Sequence, residues 1–413
     1  MSMSALSEAS STQGNGRSPM ISRALVPVIG SSGLGGEGGA GGAGGAGGMP
    51  LPLGEFNALA PGAEGTLTLP AWMSIACPTA GRTAQTSATT VKTGFAANAA
   101  RGQSRDGTTW GLMVENQRIN EQERDSEIDD AAWIKQMKVA VSGVNTVTDP
   151  AGGMTADQVT WTTAPNSKGF FGNNPGGTIN GTFTASHWLK WAAGMGTVEL
   201  QNAATGNANA TVTPTTDWAR FGWTTTTAGD VRMAEWIRKT MSSPDLIDHW
   251  GCQVELGKYP TSLIPTAASD AERKADVLSI TQPGMLMPNG YFDMTLRIAP
   301  AYAAAETAGD HQLLFLDVNN NLMFRQSDAK IVLTINSVAV ASDALTFSRH
   351  QALTIHAIHS AATLSVEVAG ATTGNGIKTG IAQPALTVPG TVFLLGNGSG
   401  AQEAADLQMI EFL

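Results

Sequence analysis

The sequence predicts an all-β protein with two antiparallel β-sandwiches after an extended glycine-rich N-terminal arm. Three observations support this fold class. Only 14% of the 413 residues are charged and 48 are glycine, a composition typical of short strands and tight turns rather than surface helices. Short apolar or alternating runs recur along the chain, separated by Gly, Asn and Pro. The length also exceeds that of one ordinary domain.

Residues 1–66 differ in composition from the rest of the chain. They contain a tract with a Gly-Gly-X period, Gly33–Gly48, followed by a proline-rich piece. Two interpretations stay open. The tract is a flexible linker, because glycine cannot bury enough surface to offset chain entropy. Alternatively it is an extended arm that lies against neighbouring chains, since backbones without side chains approach closely.

Residues 67–138 are predicted to form a β-rich segment that packs on the first sandwich. Their charged stretch, 123–137, has helical tendency and is either a cation site or, as we favour, a solvated surface turn. It carries five acids: Glu123, Asp125, Glu127, Asp129 and Asp130. Residues 139–265 follow as a succession of short strands and Gly/Asn turns, which indicates the first sandwich.

Residues 266–276 are predicted to link this sandwich to a second one at 277–413. The run WGCQVEL, Trp250–Leu256, has the pattern of a last strand. Pro260 and Pro265 stop further pairing, since proline removes a backbone donor and fixes φ. The charged DAERKAD at 270–276 then has the composition of a solvated connector. The segments after it alternate or run apolar over four to ten residues, as strands of an antiparallel sandwich do.

Two motifs carry a resemblance to a known family. WGCQVELGKYPTSLIPTAASDAERKAD, Trp250–Asp276, resembles the signature W-G-A-Q-L-E-x-G-x-x-x-T-S-Y-I-P-T-x-x-x-x-x-T-R-x-A-D of phage structural and tail-fibre-like proteins. Leu263 and Glu272 depart from it. GLMVENQRIN, Gly111–Asn120, is similar to the family's G-L-L-I-E-x-x-R-T-N, with Ile119 in place of threonine. The resemblance covers about residues 68–413.

The resemblance implies a virion structural protein with a carbohydrate-binding-module-like jelly roll at 139–265 and a concanavalin-like sandwich at 277–413. We expect a tail fibre or fibre component that attaches to host surface glycans. The alternatives are a head fibre, a decoration protein or a purely structural virion protein that binds only other virion subunits. The 1–66 arm is expected to anchor the chain to other virion proteins. A homo-oligomer, dimer or trimer, is expected, made in the host cytoplasm and displayed on the virion tail or capsid surface.

Charge and cysteine content exclude several other classes. The net charge of −10 and pI of about 5.1 disfavour nucleic-acid binding and an anionic membrane surface. No apolar run of about 18 residues is present, so no membrane insertion is expected. Cys77 and Cys252 do not make a disulfide framework, and the apolar surroundings of Cys252 predict a buried free thiol.

No catalytic constellation, metal site or cofactor site is predicted. His356 and His359 are three apart and would face opposite sides of a strand. Asp317–Asp328 partly mimics a calcium loop, but Leu322 and Asp328 replace the required Gly and Glu, so a hairpin with a polar turn fits better. Acids are sparse within the strand patterns, which makes a polysaccharide-degrading enzyme the less favoured function. Glu255 is expected to make an orienting salt bridge or a turn hydrogen bond.

Tryptophan supplies the only candidate sugar contacts. There are ten tryptophans against three tyrosines. Trp188 and Trp191 lie three apart, so at least one should face outward from a strand, where an indole face stacks on sugar C–H groups. The alternative for both is sandwich core plus an oligomer interface. Core positions are predicted for the other tryptophans of this region, Trp161, Trp218, Trp223 and Trp236.

Overall fold

The structure is a computed structural model that describes most of the chain after residue 53. The described ranges are 54–58, 66–136, 139–161, 168–173, 178–202, 208–232, 235–240, 245–306, 309–374, 376–380, 383–398 and 405–413. The glycine tract at 33–48, and almost all of the predicted arm, lie outside these residues.

The described chain is almost entirely β-structure, which confirms the predicted fold class. Its strands in chain order are β1 (Gly54–Asn57), β2 (Met73–Ala76), β3 (Arg82–Gln85), β4 (Val91–Phe95), β5 (Gly102–Gln103), β6 (Gly111–Val114), β7 (Arg118–Asn120), β8 (Trp133–Gln136), β9 (Val139–Val147), β10 (Ala156–Trp161), β11 (Lys168–Asn173), β12 (Thr178–Ala193), β13 (Val198–Asn202), β14 (Ala208–Val212), β15 (Ala219–Arg232), β16 (Glu235–Thr240), β17 (Asp245–Leu256), β18 (Ala271–Arg273), β19 (Val277–Ile280), β20 (Phe292–Pro300), β21 (His311–Asp317), β22 (Asn320–Arg325), β23 (Lys330–Ile335), β24 (Val338–Ala341), β25 (Leu353–His359), β26 (Leu364–Ala369), β27 (Gly376–Gly380), β28 (Val392–Leu394) and β29 (Ala405–Phe412). One short helix, α1 (Pro283–Leu286), and the 3₁₀ turns Pro288–Gly290 and Ala304–Glu306 complete the list. In these ranges no helix has the length and hydropathy that a membrane span requires.

The first sandwich packs two five-stranded antiparallel sheets face to face. Their strand orders are β15-β12-β17-β10-β9 and β14-β13-β16-β11-β8. Large side chains fill the space between the sheets, among them Trp133, Trp161, Phe183, Trp223 and Ile237. The alternation of inward apolar and outward polar residues, together with β-branched threonines, therefore gives these segments their strand structure.

The second sandwich is built in the same way from larger sheets. One has the order β27-β26-β25-β20-β29-β6-β5, with β1 also paired to β29, and the other is β2-β19-β28-β21-β22-β23-β24. The strand β25 buries every second residue, with Leu353, Ile355, Ala357 and His359 inside. His356 lies on the other face, so the prediction that His356 and His359 face opposite sides is confirmed.

The segment 67–138 divides between the sandwiches, which corrects the prediction that it packs on the first. The strand β2 pairs with β19, and β6 pairs with β29, so both belong to the second sandwich. Only β8 joins a sheet of the first. The physical reason is that β19 and β29 need partners along their edges. Trp72 beside β2 packs edge-on against Phe412 of β29, with ring centroids 6.4 Å apart.

The strand β17 is buried on both faces. Ile247, Cys252 and Val254 enter the core between the sheets, whereas Trp250 belongs to a smaller cluster on the outer face. Gly251 has a φ of 62°, which permits the irregularity that changes the alternation at this point. Cys77 and Cys252 are both buried and form no disulfide, which confirms the buried thiol predicted for Cys252.

Candidate functional site

Five charged residues form a buried cluster where the two sandwiches meet, which we call the junction cluster: Arg82, Arg101, Glu115, Arg273 and Asp276. The carboxylate of Asp276 accepts hydrogen bonds from Arg82 Nη1 at 2.9 Å and from Arg101 Nη2 at 2.7 Å. The backbone N–H of Glu115 donates to the same carboxylate at 2.9 Å. Asp276 and both arginine side chains have no exposed surface. Asp276 thus neutralises two arginines that have no access to water.

Glu115 is the second anion of the junction cluster. Its carboxylate accepts from Arg101 Nη1 at 3.0 Å, from the Ser262 N–H at 2.7 Å and from the Ser262 hydroxyl at 2.6 Å. Arg273 Nη1 lies 3.2 Å away. Burial alone would raise the pKa of Glu115, but the two arginines and Ser262 outweigh it and lower the pKa to about 2. Glu115 therefore stays ionised at physiological pH.

A second network joins the turn after β17 to the strand itself. Glu255 accepts from the N–H and the hydroxyl of Thr261, both at 2.7 Å, and lies 3.5 Å from Arg118 Nε. The predicted turn hydrogen bond and salt bridge of Glu255 are therefore confirmed. Gln253 Oε1 accepts from the Ile264 N–H at 2.7 Å. These bonds fold residues 257–264 back over the outer face of β17.

Asn120 completes the same network from the other motif. Its amide donates to the carbonyls of Cys252 and Ile264 at 3.2 and 2.9 Å. Its Oδ1 accepts from the N–H groups of Gln122 and Val254 at 3.1 and 3.0 Å. All four hydrogen bonds available to the amide are made, so Asn120 is a fully satisfied buried connector.

The linker 266–276 is only in part the solvated connector that its charges predict, because Asp270, Glu272 and Lys274 are exposed but two other charges are buried. Arg273 is 2% exposed and Asp276 is fully buried. The strand β18 also pairs with β7, from Ala271↔Asn120 to Arg273↔Arg118. The expectation fails because the charges find buried partners more than 150 residues away in sequence. The long motif is therefore a structural clamp between the sandwiches, and its buried charged residues, Arg273 and Asp276, are not free to bind a ligand.

A large cavity forms a groove on the outer side of the first sandwich, which we call the Trp250 groove. It has a volume of about 730 Å³. The floor is apolar and includes Trp250, Leu263 and Pro265, and the half-exposed Met154 stands beside it. Polar and acidic residues form the walls: Thr93, Asp125, Ser126, Glu127, Asp129, Asp130, Asn145, Asp149 and Thr155. An apolar floor with convergent polar groups is the usual composition of a ligand site.

Most acids of the Trp250 groove already have partners. Asp149 accepts from the N–H groups of Ala151 and Gly153 and from the Thr155 hydroxyl, and so shapes the loop after β9. Arg124 pairs with Glu127 at 2.6 Å and with Asp130 at 3.2 Å.

Two exposed polar side chains of the groove remain available. Asp129 and Asn145 have no side-chain hydrogen-bond partner among the described residues. Both can bind a ligand without breaking existing structure.

Asp125 is, like Asp149, a buried acid of this groove, and only 6% of it is exposed. Burial raises the pKa of Asp125 to about 7. This effect outweighs the hydrogen bonds from Ser126 and Thr266, which lower the pKa. Because the folded pKa lies above the ordinary 3.8, ionisation opposes folding. The protonated Asp125 carboxyl therefore gives its full contribution to the free energy of unfolding below about pH 4. This contribution is lost as the pH rises through 7.

We expect Asp125→Asn to increase the free energy of unfolding at pH 8 by about 2–4 kcal/mol, because the amide removes the buried negative charge. At pH 4 the variant and the wild type should be nearly equal, since the carboxyl is then protonated. Urea unfolding at the two pH values measures the difference. An equal effect of the substitution at both values would show that Asp125 does not titrate as its burial requires.

Trp188 and Trp191 do face opposite sides of β12, but neither is exposed. Trp191 is 4% exposed in the core between the sheets, and Trp188 is 1% exposed on the outer face. Trp218, Trp250 and Leu263 cover Trp188. The prediction of an exposed sugar platform at Trp188 and Trp191 is therefore wrong in this structure.

The other predicted tryptophan positions are also core. Trp161 and Trp223 lie in the core between the sheets, and Trp218 belongs to the outer cluster. The side chain of Trp236 lies outside the described residues.

Local geometry also explains the calcium-like stretch Asp317–Asp328. Asp317 accepts from the Asn319 N–H at 2.7 Å, and Asp328 pairs with Arg325, so this stretch is the predicted hairpin of β21 and β22. In the described ranges, no group of three or more His, Cys, Asp or Glu residues is arranged to hold a metal ion.

The Trp250 groove was not predicted as a unit, because its walls come from separate segments. Asp125 and Asp129 precede β8, Asn145 lies in β9, and Trp250 lies in β17. The acid-rich stretch at 123–130 was the one available signal, since it supplies five of the wall residues.

Comparison with known proteins identifies no family for this chain. No family model matches it, and no curated protein matches it. Among solved structures, it is similar to the N-terminal CBM22-1-CBM22-2 tandem domain of Xyn10C from Paenibacillus barcinonensis, with 11% sequence identity and a TM-score of 0.26. The match covers 73% of this chain and 98% of that chain. A TM-score this low supports no conclusion about fold or function.

Proposed function

We propose that this chain is a non-catalytic glycan-binding protein, and that the Trp250 groove is its binding site. The observation that carries the proposal is the pairing of two free polar side chains, Asp129 and Asn145, with the apolar floor at Trp250 and the exposed Met154. A sugar has hydroxyl edges and an apolar C–H face. Asp129 accepts hydroxyl donors, Asn145 both donates and accepts, and the floor packs against C–H groups.

We further propose that the protein is a virion component, in a tail fibre or as a fibre component. This part is supported by the resemblance of Gly111–Asn120 and Trp250–Asp276 to phage structural and tail-fibre-like proteins. Residues 1–66 are proposed to bind other virion proteins. A dimeric or trimeric assembly would multiply weak sugar contacts, because linked sites bind with a high effective concentration.

A purely structural virion or decoration protein is the second candidate, and one observation favours it. Charged residues that carry the resemblance, such as Glu115, Arg273 and Asp276, form hydrogen bonds and ion pairs inside the junction cluster. These charged residues therefore contribute to a rigid two-sandwich body and make no ligand contact. A structural protein of this kind would bind virion subunits but no free glycan.

A glycan array with the purified full-length chain tests the binding proposal. We expect retention of at least one glycan class by the wild type, and a loss of about tenfold or more in the double variant Asp129→Ala/Asn145→Ala, because both free polar groups are removed. Glu272→Gln is the matched control, since Glu272 is an acid outside the groove that pairs with Lys274.

Three outcomes would contradict the proposal. Binding of the double variant equal to that of the wild type would exclude the Trp250 groove as the site. If the chain retains no glycan at a concentration at which it is oligomeric, the structural candidate is favoured. Released oligosaccharide that disappears in Asp125→Asn would identify a hydrolase instead, because Asp125 is the protonatable acid of the groove.

A further inference from the structure

A second polar cavity lies on the second sandwich, away from the Trp250 groove. Its volume is about 270 Å³. The walls come from β20, from β29, from the loop between β5 and β6, and from the residues before β25. Ile298 and Leu407 on the same strands are buried in the core, so the alternate residues of β20 and β29 line the outer face.

Three buried polar atoms of this cavity lack a hydrogen-bond partner among the described residues. They are Arg105 Nε, His350 Nδ1 and Gln408 Oε1. A buried polar group without a hydrogen-bond partner is costly, and a ligand that bonds to it removes that cost. The set includes a donor and an acceptor, which a ligand with both functions would satisfy together.

The charges around the cavity balance. Two cations, Arg105 and Arg297, face two carboxylates, Asp106 and Asp406. Arg105 Nη1 donates to Gln85 Oε1 at 3.0 Å. Asp406 accepts from Gln103 Nε2 at 3.2 and 3.1 Å. Arg105 and Asp406 thus each bond to a side-chain amide. Both can still bind a ligand in the cavity.

His350 occupies a strained backbone conformation at the rim. Its φ is 59°, and its N–H donates to the Pro300 carbonyl at 2.6 Å. Positive φ is uncommon for residues other than glycine, and such strain concentrates at functional sites. Burial lowers the pKa of His350 to about 3, with the charges of Arg105 and Arg349 acting in the same direction. The ring is therefore neutral and adds no charge to the cavity.

We infer that this cavity is a second sugar subsite, which takes one neutral hexose unit through adjacent hydroxyl groups. The inference rests on the proposed glycan-binding function and adds a separate site to it. Each hydroxyl is one donor and two acceptors, so one of an adjacent pair donates to Asp406 while the other accepts from Arg105. A sugar acid or amino sugar would leave one charge of the balanced set unmatched. The cavity has room for about one sugar ring, below the range typical of larger ligands.

Saturation-transfer NMR on the full chain at pH 7.5 tests this subsite. The probes are the methyl glycosides of glucose, galactose and mannose, with glucuronic acid and glucosamine as charged comparisons. We expect a signal from at least one neutral glycoside, and about tenfold weaker binding in Asp406→Asn and in Gln408→Ala. Asp328→Asn is the control, because Asp328 makes an exposed pair with Arg325 on another part of the same sandwich.

The outcomes separate this subsite from the Trp250 groove. A neutral-sugar signal that survives Asp129→Ala/Asn145→Ala but is lost in Asp406→Asn supports the subsite, whatever the glycan array shows for the groove. A signal that survives both Asp406→Asn and Gln408→Ala overturns it. Binding of a charged sugar alone, or no signal from any neutral glycoside at tens of millimolar, also overturns it.

Discussion

Replacing Asp276 with alanine should destabilise the protein by about 3–5 kcal/mol, because it leaves Arg82 and Arg101 buried without their shared counter-charge. The junction cluster holds three arginines and two carboxylates, and Asp276 supplies bonds of 2.9 and 2.7 Å to two of the arginines. Arg101 and Asp276 have no exposed surface, so water cannot replace the lost bonds. Urea unfolding followed by tryptophan fluorescence at neutral pH measures the change.

The matched control for this prediction is Asp328→Ala. Asp328 also bonds an arginine at 2.7 Å, but both side chains are about one-third exposed. We expect a loss below about 1 kcal/mol for this exposed pair. If Asp276→Ala does not fold well enough to measure, Asp276→Asn keeps the shape and removes only the charge. A loss from Asp276→Asn no larger than that of the control would show that the junction cluster does not hold the sandwiches together.

The same cluster shows where sequence patterns stop being informative. Alternation and turn residues predict two all-β sandwiches, because strand periodicity is a local property. Charged runs such as DAERKAD are usually solvated, so composition predicts an exposed connector. The actual partners of Asp276 lie 194 and 175 residues away, at Arg82 and Arg101. A local pattern carries no information about a partner at that distance.

The site was predicted less well, and Trp188 explains why. Periodicity predicts correctly that Trp188 and Trp191 point to opposite faces of β12. It does not predict that Leu263, which follows β17, covers the outer face. That cover depends on the bonds of Gln253 and Glu255, which fold the turn back. Exposure of a strand residue is therefore set by tertiary packing, and so was the location of the groove.

Acidification should destabilise the first sandwich through the buried pair His187 and His249. His187 Nδ1 lies 3.2 Å from His249 Nε2, and both residues are fully buried. Burial, with the charge of Arg220, lowers the pKa of His187 to about 3. Burial, with His187, lowers the pKa of His249 well below its ordinary 6.5.

Because the folded pKa values are depressed, the unfolded chain binds more protons in acid. The stability contribution of the pair is complete above about pH 6.5 and is lost as pH falls towards 3. At pH 4.5 we expect protonation of the pair to lower the free energy of unfolding by about 2–5 kcal/mol.

A double variant isolates this effect from the other titrating groups. Asp125 and Asp406, whose pKa values burial raises to about 7 and 6, stabilise the fold on acidification and oppose the histidines. His311 in the second sandwich acts in the same direction as the pair, since burial lowers its pKa to about 4. In His187→Leu/His249→Leu these groups remain. The pH dependence of the difference between variant and wild type therefore belongs to the pair, and we expect the variant to lose less stability between pH 7.5 and 4.5. Identical losses would contradict the prediction.

An NMR titration of the wild-type imidazoles serves if the variant does not fold. Either ring titrating near pH 6.5 in the folded state would exclude the mechanism, because a depressed pKa is its physical basis.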